Sequence, residues 1–366
     1  MYPFRILTAQ PLRLGLTVAG IALCIVLMLF LLGIYRGVSI GSVEYVRRNH
    51  VDLWVVQENT TNILRGFSLL RTAHGDVLRG TEGVQTASPV LFLLCALERQ
   101  GERSTVYLTG FDPASPRGGP PALAAGRSVQ ADDEIVLDRA FAAKHRIIVG
   151  DTVSLRGEFL RVVGLSSGTN AFVIQFAFVP IHRAQTLAGY PGLVSCYLVS
   201  GREGTPAEQL RERILESTPG IDVYTQEEFL GNNLREMESG VLPLLATVAA
   251  IGGFVLAAIL TLLLTINILE RRMDIAVMKV LGVPGSAMTR LVLSLAFLVA
   301  GGGVAVALAA FFPLCSVLEH FAPEVTTATS LLHIASAAGM VALISVVSAL
   351  VALRRVRSIY PMEAFQ

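Results

Sequence analysis

The sequence predicts an α-helical membrane protein with four transmembrane helices and a large α+β extracytoplasmic domain inserted between spans 1 and 2. Three observations predict it. Hydrophobic residues make up 53% of the 366 positions and charged residues only 16%, too apolar a balance for an ordinary soluble enzyme. The stretches 14–34, 241–269, 291–318 and 331–353 contain no Asp, Glu, Lys or Arg, and each reaches the about 20 apolar residues that a spanning helix needs. Between the first two, the composition returns to that of a soluble domain, with Pro/Gly turns separating strand-like runs.

Residues 1–40 read as a short cytoplasmic N-terminus followed by the first span. That span is longer than the ~7–15-residue apolar core of a signal peptide and no A-x-A cleavage site follows, so it is expected to stay as an anchor. Cys24 follows the bulky Leu23 and does not suit a lipid-acceptor position. Gly33, Gly37 and Gly41 recur every four residues at the outer end of this span. Such a row lets helix backbones approach closely, or it merely loosens the membrane exit; both readings stand. Gly37-Val38-Ser39-Ile40-Gly41 matches the G-x-S-x-G elbow of hydrolases. That elbow needs a strand before the serine, and here a membrane helix precedes it, so a tethered hydrolase using Ser39 is a poor fit.

The inserted domain covers 41–238. Alternation and turn signals predict strands at 52–57, 90–98, 105–111, 134–138, 152–156, 159–165, 172–179, 194–200 and 221–224. Helices are predicted at 139–146, 182–188, 207–217 and from Gln226 towards the membrane. The Pro/Gly-rich segment 112–127 is expected to separate two subdomains. Cys24 and Cys315 lie in apolar runs, which leaves Cys95 and Cys196 as the pair able to meet in an oxidising compartment.

The remaining parts are the second span at 239–269, a connection at 270–290, the third span at 291–318, a loop at 319–330, the fourth span at 331–353 and a tail at 354–366. Basic residues set the orientation. Arg5 and Arg13 precede the first span, Arg271, Arg272, Lys279 and Arg290 lie between the second and third, and Arg354, Arg355 and Arg357 follow the fourth. Loop 319–330 has Glu319 and Glu324 but no Lys or Arg. Both termini and the 270–290 connection are therefore expected in the cytoplasm of a cell (inner) membrane protein, with the inserted domain and the 319–330 loop outside. The run Ala300-Gly301-Gly302-Gly303 offers a second small-residue surface, on the third span.

A net charge of +1 gives no sign of a nucleic-acid partner. The six histidines have no H-E-x-x-H spacing and no neighbouring cysteine, so no metal site is expected. The chain has no G-x-x-x-x-G-K-[ST] phosphate loop. It therefore carries neither cofactor nor catalytic residues in this reading, and any ATP chemistry belongs to a partner. Apart from His333, the spans hold no ionisable residue, which argues against a proton-coupled carrier.

The most informative short segment follows the second span. Ile275, Met278 and Leu281 share a helical face, Arg271, Asp274 and Lys279 supply charge around it, and Gly282 and Pro284 terminate the helix, after which Ser286 can cap the next. A short amphipathic helix of this kind either docks in a partner's groove or lies in the lipid interface.

At this point the chain resembles the FtsX-like permease family, the MacB type (type VII) of ABC transporter permease. That family carries an ER-x-x-E-I-x-x-x-[KR]-x-x-G segment after its second span. Glu270, Arg271, Asp274, Ile275, Lys279 and Gly282 occupy those positions, with Asp274 where Glu is usual. Residues 12–21 are similar to the family's L-R-x-x-L-T-x-x-G-I lead-in to span 1, and residues 359–365 to its terminal x-P-x-E-A-[LF]. Gly110-Phe111-Asp112-Pro113, Gly126-Arg127, Asp133-Glu134-Ile135-Val136-Leu137 and Val149-Gly150-Asp151-Thr152-Val153 resemble stretches of the MacB-type periplasmic domain.

The resemblance implies a permease that is not itself an enzyme, paired as a homodimer or with a paralogue. It also implies a separate ATPase subunit that binds ATP and Mg, contact with membrane lipid, and room for a periplasmic adaptor protein. The implied coupling residues are Glu270, Arg271, Asp274, Ile275, Met278, Lys279, Leu281 and Gly282. The implied function is ATP-driven export or extraction of an amphiphilic molecule (lipid, glycolipid, lipoprotein, peptide or drug) by mechanotransmission to the outer domain. The alternative is an FtsX-like signalling permease that activates an envelope or cell-wall hydrolase and transports nothing.

The charge asymmetry predicts that a cysteine introduced beside Arg202 is labelled from outside intact cells by a membrane-impermeant reagent, and one beside Arg357 is not. The reverse pattern overturns the orientation.

Overall fold

The computed structural model describes residues 11–63, 66–170, 175–270, 273, 277, 280–281, 283–321 and 331–358. In chain order the elements are α1 (Pro11–Asn49), β1 (Leu53–Gln57), β2 (Leu70–Arg71), α2 (Thr72–Gly80), β3 (Val84–Arg99), β4 (Glu102–Phe111), β5 (Leu123–Gly126), β6 (Glu134–Asp138), α3 (Arg139–Lys144) and β7 (Thr152–Leu155). There follow β8 (Glu158–Ser166), β9 (Phe176–Pro180), α4 (Ile181–Ala188), β10 (Leu193–Val194), β11 (Cys196–Gly201), α5 (Ala207–Ser217), β12 (Ile221–Thr225), α6 (Gln226–Glu270), α7 (Gly285–Phe321) and α8 (Leu331–Ser358). They form two compact units: residues 1–36, 242–318 and 327–366, and residues 37–241 with 319–326.

The first unit holds four helical stretches long and apolar enough to cross a membrane: Val18–Gly41 in α1, Thr247–Ile266 in α6, Gly285–Leu318 in α7 and Ile334–Arg354 in α8. Each buries one stripe at helical spacing, Ile21, Ile25 and Leu29 from α1 against Leu256, Leu260 and Leu264 from α6, with Ala296 and Val299 from α7 and Val341 and Ala349 from α8. The outward residues are apolar too, among them Leu23, Phe254, Leu262 and Leu343, as lipid-facing positions require. Small residues allow the close contacts. A Cβ built on Gly303 would stand 2.4 Å from Ile21 Cγ2, and one on Gly302 would touch Val18, so the glycine run of the third span packs against α1 of the same chain. Ser348 Oγ donates to the Ala257 carbonyl at 3.2 Å and ties α8 to α6.

The second unit is built on one ten-stranded sheet, order β12-β1-β11-β3-β4-β9-β6-β8-β5, with β7 pairing β3 and β8. The β4–β9 and β6–β8 pairs are parallel and the others antiparallel. Two tight hairpins extend it. Gln100 and Gly101 between β3 and β4 have φ of 51° and 86°, and Arg156 and Gly157 between β7 and β8 have φ of 50° and 88°, the two positive values that a type I′ turn requires. Alternation along β1 sends Leu53 and Val55 to one core and Trp54 and Val56 to the other, since both faces are covered. Helices α2 to α5 cover the first face through Leu78, Phe141, Ala184 and Leu210. The end of α1 and the start of α6 cover the second, through Tyr45, Val46 and Phe229.

The structure adds what the sequence leaves open. Cys95 and Cys196 are both free. The register pairs Cys196 with Val90, five residues from Cys95, and an odd offset puts the two thiols in opposite cores. Segment 112–127 contributes β5, which pairs with β8. Helix α2 was not expected, because Gly75 and Gly80 depress its helical propensity. Gly75 is needed there because a Cβ would stand 2.8 Å from the Tyr197 ring. Residues 172–174 of the expected 172–179 strand lie outside the described residues, as do the 322–330 part of the external loop and the tail motif 359–365.

The contact between α1 and α7 predicts opposite outcomes for two neighbouring glycines. Gly303→Ala forces Ile21 aside and should cost about 1–3 kcal/mol of stability. Gly301→Ala, with nothing within 4 Å of its Cβ, should be neutral or stabilising by up to ~1 kcal/mol. Thermal unfolding of the detergent-solubilised protein checks this, and equal shifts for the two variants contradict the packing.

Candidate functional site

Two places carry the residues of interest: the end of α6 with the connection to α7, and the face of the sheet on which α1 and α6 are rooted.

Glu270 is the last residue of α6. Of the expected coupling residues, Arg271, Asp274, Ile275, Met278, Lys279 and Gly282 lie outside the described residues. Met273, Val277 and Val280 are helical, and the Leu281 amide donates to the Val277 carbonyl at 3.0 Å. All four side chains are exposed, Leu281 by 75%. The sequence reading had placed the apolar face on Ile275, Met278 and Leu281. Leu281 is common to both sets. Helix α7 starts at Gly285, and the Ala287 amide donates to the Pro284 carbonyl at 2.9 Å, so Ser286 lies inside the helix rather than capping it.

The second place is a clamp of rings and amides. Trp54 on β1 stacks on Phe229 of α6, with centroids 4.7 Å apart, and its indole Nε1 donates to Gln226 Oε1 at 2.7 Å. Gln226 Nε2 donates in turn to the Val46 carbonyl of α1 at 2.7 Å, so one side chain joins the sheet to both helices. Tyr45 stacks on Phe176 at 5.2 Å, meets Phe92 edge-on at 5.6 Å, and its hydroxyl donates to the Gly118 carbonyl at 2.7 Å. Asn49 Oδ1 accepts from the Gly118 amide at 2.9 Å while its Nδ2 donates to the Tyr45 carbonyl at 2.8 Å. On α6, Asn233 Oδ1 accepts from the Ile63 amide at 3.0 Å. Burial raises the Tyr45 hydroxyl well above its ordinary pKa, and that of Tyr107 too, so both stay neutral donors.

The glycine row leads into this clamp. Gly33 and Gly37 are buried and Gly41 half-buried, and further four-residue steps along α1 reach Tyr45 and Asn49. Their burial is within the single chain. Ser39 lies in the interior of α1, which continues unbroken to Asn49, so no strand–turn–helix elbow forms around it.

The stretches resembling the MacB-type domain act as structural joints. Gly110 lets α4 approach β4, since a Cβ there would stand 2.3 Å from that of Ala184. Arg127 donates to Glu134 Oε2 at 2.7 Å and Arg161 to Oε1 at 3.0 Å. The Arg127 guanidinium beside Glu134 holds its carboxyl down to about 2, so it stays ionised although buried. Asp151 accepts from the Ile148 amide at 3.0 Å and from Arg99 at 2.7 Å, fixing the turn before β7. Sequence reasoning missed the clamp because its members are spread over 45–233; the only signal was the single Trp of the chain in a strand-like run.

Residues 14–217 match the MacB-like periplasmic core domain, and residues 246–361 match the FtsX-like permease C-terminal domain. An uncharacterized ABC transporter permease of Mycobacterium tuberculosis strain H37Rv is 26% identical over 96% of this chain and 95% of its own length. Another from Mycobacterium tuberculosis strain CDC 1551 is 27% identical over 82% of this chain and 84% of its own length. Among solved structures, the periplasmic region of MacB from Actinobacillus actinomycetemcomitans aligns over 49% of this chain and 90% of that one, with a TM-score of 0.39 and 15% identity. The extracellular domain of the noncanonic ABC-type transporter YknZ from Gram-positive bacteria aligns over 48% and 99%, with a TM-score of 0.37 and 12% identity.

Proposed function

The chain belongs to the family of ABC transporter permeases that join a MacB-like periplasmic core domain to an FtsX-like permease domain, and from that premise we propose that it converts ATP hydrolysis by a separate subunit into movement of its outer domain. Two permease copies, or one copy and a paralogue, pair with that ATPase, which binds ATP and Mg. Both termini and the 270–290 connection face the cytoplasm, and the α+β domain lies outside. The work done is export or extraction of an amphiphilic substrate.

The observation that carries this reading is the continuity of α1 and α6. Each is a single helix containing both an apolar spanning stretch and residues of the clamp: Val18–Gly41 with Tyr45 and Asn49, and Thr247–Ile266 with Gln226 and Phe229. A helix transmits axial displacement and rotation because its backbone hydrogen bonds are internal, and the clamp gives the sheet no slack at its end. Pro243 interrupts one such bond within α6 without ending the helix. Force enters at the other end. The connection between α6 and α7 presents an exposed apolar side that a partner groove would cover.

A signalling role, in which the moving domain activates a wall hydrolase, would use the same linkage. The size of the domain, 41–238, large enough for two subdomains, supports transport over a minimal signalling permease.

The coupling role of Glu270, Arg271, Asp274, Ile275, Met278, Lys279, Leu281 and Gly282 has a direct test. Met278→Asp with Leu281→Asp puts two charges where an interface would have to bury them unpaired, at a cost of several kcal/mol. The variant should insert normally yet fail to recruit the ATPase or change its turnover in reconstituted membranes. Wild-type recruitment and turnover would make the segment an interfacial helix and remove it from the mechanism.

A further inference from the structure

Against the clamp lies a small crevice of about 60 Å³. Its floor is Val56 of β1, Leu91 of β3, Tyr107 of β4 and Cys196 of β11, all buried. Phe67 and Tyr190 line its mouth, 75% and 44% exposed. Its wall is shared with the clamp. Tyr107 stacks on Phe92 at 5.4 Å and meets Phe176 edge-on at 5.2 Å, and Phe176 carries the Tyr45 ring of α1. Ile63, also in the wall, is the residue whose amide donates to Asn233 of α6.

The polar side chains of the wall are spent on the protein itself. Thr60 Oγ1 donates to the Phe67 carbonyl at 3.1 Å, and Asn62 Oδ1 accepts from the Gly66 amide at 2.9 Å. The Ser68 hydroxyl accepts from the Gln57 amide at 2.9 Å and donates to the Ser195 carbonyl. Ser195 Oγ accepts from the Phe92 amide at 3.0 Å, and the Tyr107 hydroxyl donates to the Ile63 carbonyl. Cys196 is free and buried, and such a thiol packs as a small hydrophobe. A guest bringing amides or hydroxyls would give up water here for few partners, which is costly; a hydrocarbon gives up none. The volume holds about four to six water-sized groups, enough for the end of an unbranched chain. Such chains are close at hand, because Tyr45 follows the apolar spanning stretch Val18–Gly41 by one turn of the same helix.

We propose that this crevice takes the end of a hydrocarbon chain of a membrane amphiphile. The exposed rings of Phe67 and Tyr190 receive the chain, and the floor encloses its last few methylenes. The inference rests on the transport reading for its purpose, since it names the part of the cargo that the outer domain holds; the binding itself needs no ATPase.

Trp54 supplies the readout. It is the single tryptophan of the chain, and it shares a face of β1 with Val56, about 7 Å along the strand, so a bromine atom on the end of an enclosed chain should quench its fluorescence. The full-length permease in phosphatidylcholine nanodiscs is titrated with ω-bromoalkanols of increasing length, and affinities are referred to the free aqueous concentration. Quenching should saturate, reverse on addition of the unbrominated alkanol, and tighten about four-fold per methylene until about six carbons are enclosed, then level off. Phe67→Ser with Tyr190→Ser should weaken binding by about ten-fold or more. Phe159→Ser, which removes a ring 72% exposed on β8, should leave it unchanged. The emission of Trp54 without alkanol reports whether each variant keeps the clamp. Absence of saturable quenching, affinity that climbs with every added carbon as bilayer partition does, or equal weakening by the two sets of substitutions overturns the proposal. So does tighter competition by a tri-leucine peptide than by the alkanols, which assigns the crevice to a partner protein's side chain. No ATPase is present, so failure here leaves the coupling reading intact, and failure of the Met278 and Leu281 test leaves this measurement valid.

Discussion

The Gln226 side chain is the joint on which the rest of the outer domain depends. It accepts from Trp54 on β1 and donates to Val46 on α1 while belonging to α6 itself. Each bond contributes about 1 kcal/mol net, and the Trp54–Phe229 stack about 0.5–1.5 kcal/mol beyond its burial. The individual terms are small, but Trp54 and Val46 are buried, so breaking either bond leaves a desolvated polar group on their side at a cost of about 1–3 kcal/mol. Helix ends held in this way cannot rotate or slide without moving β1, and β1 is paired on both sides, to β11 and β12. The sheet behind it is continuous, so displacement at one strand is shared by its neighbours.

Small residues do complementary work along the same helix. Ile21 meets Gly303 within the bundle, and the Gly33, Gly37 and Gly41 row precedes the clamp. A bulky residue at Gly303 would hold its neighbours apart and weaken dispersion contacts that fall off within an ångström. On the opposite side of the sheet, α2 to α5 repeat the device with Gly75 under Tyr197 and Gly110 under Ala184, so both faces are sealed.

Much of this was legible in the sequence, because membrane spans and half-buried strands announce themselves through local pattern. The charge-free runs mark the four helices, and the strand 134–138 and helix 207–217 coincide with β6 and α5. Elements whose residues answer to distant neighbours were not legible. Helix α2 breaks propensity at Gly75 to accommodate a tyrosine over a hundred residues away, and β5 is apolar only in the short Leu123–Gly126 stretch behind two prolines. Whether Cys95 and Cys196 meet is left open by the sequence for a related reason, since strand register decides which core each thiol enters and sequence alone does not state register. The clamp was invisible in the same way: Tyr45, Trp54, Gln226 and Asn233 are ordinary residues until topology brings them together. The segment after the second span is the opposite case: its coupling role is a proposal carried by resemblance and by an apolar pattern in the sequence, and Leu281, common to that pattern, is exposed.

In the proposed mechanism, nucleotide-driven movement of the membrane helices reaches the outer sheet through the rooted ends of α1 and α6. Hydrogen exchange of the permease in complex with its ATPase, compared without nucleotide and with a trapped ATP state, measures this most directly. Nucleotide trapping should alter protection at the clamp, in residues 45–57 and 221–233. Unchanged exchange throughout the outer domain, in a complex whose ATPase is demonstrably nucleotide-bound, would contradict it.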